Sequence, residues 1–151
     1  IPCRAAEFAA RHGIPEHYAE YRAMLESSDI DAVLIATPND LHHEITLAAA
    51  KAGKHVMCEK PLAMSLDQAD EMVAACDAAG VALMYAENLV FVPMYQRVKA
   101  LAAKGSIGKP FLVKQAQCHG GPSSSWFWEI DRAGGGVLLD MGCHSIEYAR
   151  S

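Results

Sequence analysis

The 151 residues carry a formal net charge of −5, with 52% hydrophobic and 21% charged side chains. That balance suits a globular chain, excludes a disordered one, and with no basic run excludes a nucleic-acid partner. No apolar stretch approaches the roughly 20 residues that span a bilayer, and Ile1-Pro2-Cys3-Arg4 lacks a signal-peptide core, so no membrane contact is expected and the expected location is cytoplasmic.

In chain order, Ala5 to His12 consists of strong helix formers and stops at Gly13, and Tyr18 to Glu26 reads as a second short helix. Ser27-Ser28-Asp29 leads into the apolar run Ala32 to Ala36, short and continuous as a buried parallel strand should be. Pro38 stops that strand, and Asn39 or Asp40 can cap the helix Leu41 to Ala52, which ends at Gly53. His55 to Cys58 is the next strand, Leu66 to Ala79 a helix capped by Ser65 and closed by Gly80, and Val81 to Tyr85 the third strand. The strand–helix rhythm calls for a parallel α/β sheet.

Beyond Glu87-Asn88 the pattern changes. Met94 to Ala103 is a helix, and Phe111 to Cys118 alternates in the manner of a strand in a second, more antiparallel sheet. His119 to Ser125 is a loop followed by Trp126-Phe127-Trp128. Gly134-Gly135-Gly136 then opens a helix, Val137 to Arg150, with the glycines allowing close backbone approach. The five cysteines are odd in number, have no C-x-x-C pair, and read as reduced thiols. The pairs His42-His43, Cys118-His119 and Cys143-His144 diverge on a helix or strand, so no metal is expected.

The ordered set Thr37-Pro38-Asn39, His42, Gly53-Lys54-His55-Val56, Glu59-Lys60-Pro61, Asn88, Gly134-Gly135-Gly136 and Asp140-x-Gly142-x-His144 resembles the Gfo/Idh/MocA family of NAD(P)-dependent oxidoreductases over nearly the whole chain. The resemblance implies an α/β fold in which residues 1–90 are the C-terminal part of a Rossmann dinucleotide-binding domain. Residues 91–151 would be a connecting helix and the start of an α+β substrate and oligomerisation domain with an open mixed sheet. It further implies hydride transfer between NAD or NADP and a hydroxyl-bearing carbon of a sugar, inositol or related polyol, by a full-length parent that is a homo-dimer or tetramer.

By motif match, Thr37, Pro38 and Asn39 would line the nicotinamide-ribose side of the cofactor, with His42 from the same motif. Glu59 and Lys60 would sit near the nicotinamide and the substrate hydroxyls, Asn88 beside them, and Asp140 and His144 would face the substrate. Lys60-Pro61 is often cis in relatives. The residue chemistry agrees: an alcohol that loses hydride must also lose a proton, for which a histidine is suited near neutral pH. His144 can be that base, and Lys60 can stabilise alkoxide charge. Asp140 lies four residues before His144, on the same helix face about 6 Å along the axis.

Departures from the family pattern also matter. The chain opens without methionine and reads as an interior piece. The pyrophosphate turn G-x-G-x-x-G and the residue that separates NAD from NADP are expected before residue 1, and about half of the second domain after Ser151. Val90 stands where relatives often have an arginine, and Glu147 where they have an aspartate. A non-catalytic nucleotide- or sugar-binding relative is the alternative reading. Retention of Lys60, Asp140 and His144 together favours the enzyme.

Overall fold

The computed structural model describes residues 2–27 and 29–151, with side chains from Arg4 onward. Two helices lead in, α1 (Pro2–His12) and α2 (Tyr21–Leu25). Ser28 and the Cys3 side chain, both included in the readings above, lie outside the described residues. Next come β1 (Ala32–Ile35), α3 (His42–Lys51), β2 (His55–Cys58), α4 (Leu66–Ala79) and β3 (Leu83–Tyr85). The three strands form one parallel sheet in the order β1-β2-β3, with Val33 opposite Val56 and Cys58 opposite Tyr85.

Strand alternation decides which side chains form the core. Val33, Ile35, Val56 and Cys58 are buried together with Ile45, Ala49 and Ala50 of α3 and Met72 and Cys76 of α4. Alanines at the middle of α3 let α4 pack closely against it. The opposite sheet face carries Leu34, Met57 and Met84, all exposed. One face of the sheet is therefore core and the other is open. Ser65 caps α4 by accepting the Gln68 N–H at 3.2 Å, and Gly80 ends it in the left-handed conformation at φ 67°.

The structure departs from the sequence expectation at the first polar turn and in residues 111–118. Asn39–Leu41 forms a 3-10 turn ahead of α3, and neither Asn39 nor Asp40 caps that helix, because both side chains bond elsewhere. Residues 111–118 pair with no strand among the described residues. A ladder needs a partner, and Phe111 is 97% exposed. After α5 (Pro93–Ala103), a 3-10 turn at Ser125–Trp128 and a one-turn helix α6 (Ile130–Ala133) precede α7 (Gly136–Arg150).

The glycine run before α7 admits that helix's own side chain. A Cβ on Gly134 would meet Leu139 Cδ2 at 2.8 Å, and one on Gly135 would meet Leu139 Cβ at 2.9 Å.

Cys58, Cys76, Cys118 and Cys143 are free thiols. Burial pushes the Cys58 thiol up to about 12, with a smaller lowering by Thr46, whereas Cys118 is exposed. Alkylation of the native protein at neutral pH should label Cys118 and spare Cys58 until the chain is unfolded. Because the folded state holds the Cys58 proton that the unfolded state releases near 9, folded stability should fall as pH rises from about 9 to about 12. Chemical denaturation at stepped alkaline pH measures that slope, and Cys58→Ala should make it shallower, with Cys76, Cys143 and Tyr85, all raised by burial, sustaining the remainder.

Candidate active site

Two turns leave the carboxyl ends of β1 and β2, the edge where open α/β sheets place their ligands. The first holds Thr37, Pro38 and Asn39, the second Glu59, Lys60 and Pro61, and the Lys60-Pro61 bond is cis. His42 opens α3 beneath both. It is fully buried, with Nδ1 at 2.8 Å from the Pro61 carbonyl and Nε2 at 3.0 Å from the Thr37 carbonyl. A neutral imidazole has one N–H and donates to one of these carbonyls; only the doubly protonated ring donates to both. In either state His42 spans the two turns and presents no ring nitrogen to the open side.

Asn39 is likewise 4% exposed, and its Nδ2 donates to the Ala133 carbonyl at 2.9 Å. It joins the β1 turn to the segment leading into α7. Arg132 reinforces this junction with a 3.7 Å ion pair to Asp40. Lys54, from the Gly53-Lys54-His55 part of the motif, donates to the Ser27 carbonyl at 2.7 Å and is structural. Thr37 differs from these neighbours: its Oγ1 is buried and has no hydrogen-bond partner.

Lys60 reaches inward. Its Nζ lies 2.5 Å from Asp140 Oδ1 and donates to the Asp140 carbonyl at 3.0 Å, with both side chains about one-fifth exposed (21% and 17%). The backbone N–H of Lys60 donates to Glu59 Oε2 at 3.1 Å, which orients that carboxylate. One turn along α7, His144 Nδ1 donates to the Glu87 carboxylate at 2.6 and 2.7 Å. The neutral ring then keeps its lone pair on Nε2.

Sequence reasoning missed Glu87 and named its neighbour Asn88. Ala86 N–H still donates to the Cys58 carbonyl at 2.8 Å, so β-type alternation carries past β3 and turns Tyr85 and Glu87 the same way. Glu87 is 4% exposed, while Asn88 is exposed. The available signal was that two-residue spacing from Tyr85. Glu147 pairs with Arg150 at 3.3 Å and does not join the cluster.

Cys143 adds a third donor atom within 4.8 Å of those of Glu87 and His144. The sequence reading expected Cys143 and His144 to diverge; their ligand atoms instead lie near one carboxylate, which arrives from the segment just after β3, 56 residues before Cys143. Burial pushes the Cys143 thiol up, against smaller lowering effects from Tyr85 and Lys60.

The arrangement thus combines an ammonium, a carboxylate and a carboxylate-held imidazole at one strand edge. A family model described as "Oxidoreductase family, NAD-binding Rossmann fold" matches residues 2–87, and the "GFO/IDH/MocA C-terminal domain" matches residues 95–151. The chain belongs to the Gfo/Idh/MocA oxidoreductase family.

Among curated relatives, it is 39% identical to 1,5-anhydro-D-fructose reductase of Ensifer adhaerens, over 97% of this chain and 45% of that protein. It is 32% identical to myo-inositol 2-dehydrogenase of Thermotoga maritima, over 97% of this chain and 43% of that protein. A solved structure of levoglucosan dehydrogenase in complex with NADH and levoglucosan superimposes with a TM-score of 0.85 at 36% identity, covering 99% of this chain and 42% of that one. The chain spans less than half the length of these relatives. No helix among the described residues is long and apolar enough to cross a membrane.

Asn39→Ala leaves the Ala133 carbonyl without its donor. The expected cost is about 1–3 kcal/mol, read as a lower urea midpoint at unchanged slope.

Proposed function

We propose that the full-length protein is an NAD(P)-dependent oxidoreductase acting on a hydroxyl-bearing carbon of a sugar, inositol or related polyol. Residues 1–90 supply the cofactor side of the site and residues 91–151 the substrate side. The observation that carries this reading is the meeting of Lys60, Asp140, His144 and Glu87 at the carboxyl edge of the sheet. A binding module has no need of a lysine–carboxylate pair and an imidazole–carboxylate pair one helical turn apart, whereas removal of hydride from an alcohol requires an acid–base set of this kind.

The residues present suit the nicotinamide half of a dinucleotide. Thr37 offers a buried, unpartnered hydroxyl at the end of β1, and Pro38 and Glu59 flank it on the two turns. A nicotinamide held there would supply or accept the hydride at the substrate carbon. Lys60 donates to the substrate oxygen and stabilises its developing negative charge. Asp140 holds the ammonium in place, at 2.5 Å. His144 takes the hydroxyl proton on Nε2 while Glu87 fixes Nδ1–H and stabilises the imidazolium that results. Asn39 and His42 act beneath this layer, by tying together the backbones that carry it.

Lys60→Ala in the full-length protein should lower single-turnover hydride transfer by about 10²–10³-fold while cofactor titration by nicotinamide fluorescence stays within twofold or so. Undiminished transfer would remove Lys60 from the chemistry. Likewise, His144→Asn should lower the rate by about 10²-fold or more with cofactor affinity retained; rapid-quench kinetics with a deuterated substrate would report whether the chemical step is the one slowed.

A further inference from the structure

Hydride transfer as described gives Cys143 no task. Among the described residues, Glu87, Cys143 and His144 form a group whose ligand atoms, one oxygen, one sulfur and one nitrogen, all lie within 4.8 Å of one another. Neighbours on a helix stand about 100° apart around its axis, and the Glu87 carboxylate is within reach of both, with His144 Nδ1 at 2.6 and 2.7 Å. Four-coordinate zinc bonds these donor types at about 2.0–2.3 Å, which sets ligand atoms roughly 3.3–3.8 Å apart. Shifts of about an ångström convert one spacing into the other.

The surroundings of the three side chains also suit a cation. Glu87 accepts the Leu89 N–H at 2.9 Å, which fixes the carboxylate, and the Tyr85 hydroxyl hydrogen-bonds the Cys143 sulfur. Metal ligands ordinarily carry outer partners of this kind. Glu87 is 4% exposed and the His144 side chain 12%, so an ion held between them is largely withdrawn from water. One carboxylate and one thiolate together neutralise a divalent charge there. A sulfur ligand selects ions of the Zn²⁺ type over Mg²⁺ and Ca²⁺.

We propose that Glu87, Cys143 and His144 form a regulatory site at which a thiophilic divalent cation of the Zn²⁺ type reversibly switches off the enzyme. The proposal rests on the oxidoreductase reading and adds an inhibitor to it. The cation bonds to a Glu87 carboxylate oxygen, Cys143 Sγ and His144 Nδ1, with water in the fourth position. Cys143 releases its thiol proton to solvent, and the Nδ1 proton of the neutral imidazole passes to Nε2 by exchange with water. Nε2 then carries an N–H in place of its lone pair, so the substrate hydroxyl loses its proton acceptor. The Lys60–Asp140 pair and the two cofactor-side turns supply no ligand, so cofactor binding persists while the chemical step fails.

The test uses the full-length protein with cofactor bound. Co²⁺, standing in for Zn²⁺, should give a thiolate-to-cobalt charge-transfer absorption that saturates at one equivalent and is lost in Cys143→Ser. Calorimetric Zn²⁺ titration should show at least about tenfold weaker binding in that variant. Zn²⁺ at saturation should lower kcat of the parent about 10²-fold with cofactor Kd unchanged, and EDTA should restore it. Cys143→Ser should keep its zinc-free turnover and resist the cation; circular dichroism checks that it is folded, and Cys143→Ala replaces it if it is not. Cys118→Ser should behave as the parent, although that exposed thiol adjoins His119.

A cobalt band that survives removal of the Cys143 thiol, or that vanishes in Cys118→Ser, would overturn the proposal. So would Zn²⁺ bound at Cys143 that leaves turnover unchanged or raises it. A Cys143-dependent cobalt band in a protein that transfers no hydride to any sugar or polyol would uphold the metal site and reject the oxidoreductase reading. Zinc-free hydride transfer with no cobalt band would do the reverse.

Discussion

One ion pair sets the geometry of the site: the Lys60 ammonium from the end of β2 against the Asp140 carboxylate of α7, 80 residues later in the chain. Both groups are mostly withdrawn from water, so each needs the other; a partly buried charge left alone is costly. Because Lys60 also donates to the Asp140 main-chain carbonyl, the contact fixes the helix backbone as well as a side chain. The Asn39 bond to Ala133 and the Arg132–Asp40 pair attach the preceding segment to β1's turn. Together these contacts hold the C-terminal segment against the sheet edge.

The motif residues divide into two layers with different physical tasks. Asn39, His42 and Lys54 are buried and donate to main-chain carbonyls far from them in sequence, so their task is to hold backbone in register. Thr37, Lys60, Asp140 and His144 stand above them with side-chain functional groups directed to one another or left unpaired. A buried polar network of the first kind is costly to leave half satisfied, which accounts for side chains that reach two segments at once. The upper layer is more exposed and its geometry follows from the lower one.

The Glu87–His144 contact extends the same logic. Glu87 also accepts the Leu89 N–H at 2.9 Å, so the carboxylate is fixed by its own backbone before it meets the imidazole. A fixed carboxylate on Nδ1 determines which ring nitrogen keeps its lone pair. The edge therefore presents a positive donor and a proton acceptor from two adjacent turns of one helix and two neighbouring strand ends.

Periodicity alone determined the βαβαβ rhythm, the helix caps at Ser65 and Gly80, and the positions of the two polar turns, because these depend on local propensity and on alternation within a few residues. The motif set also singled out Lys60, Asp140 and His144, which the fold brings to one strand edge. Tertiary structure alone decided that His42 and Asn39 are bound to carbonyls and that Glu87 rather than Asn88 turns inward. It also decided that Gly134 and Gly135 make room for Leu139, and that residues 111–118 pair with no strand among the described residues. Each of those outcomes depends on a partner many residues away or on the direction of a side chain at a strand end. Local sequence carries no term for either.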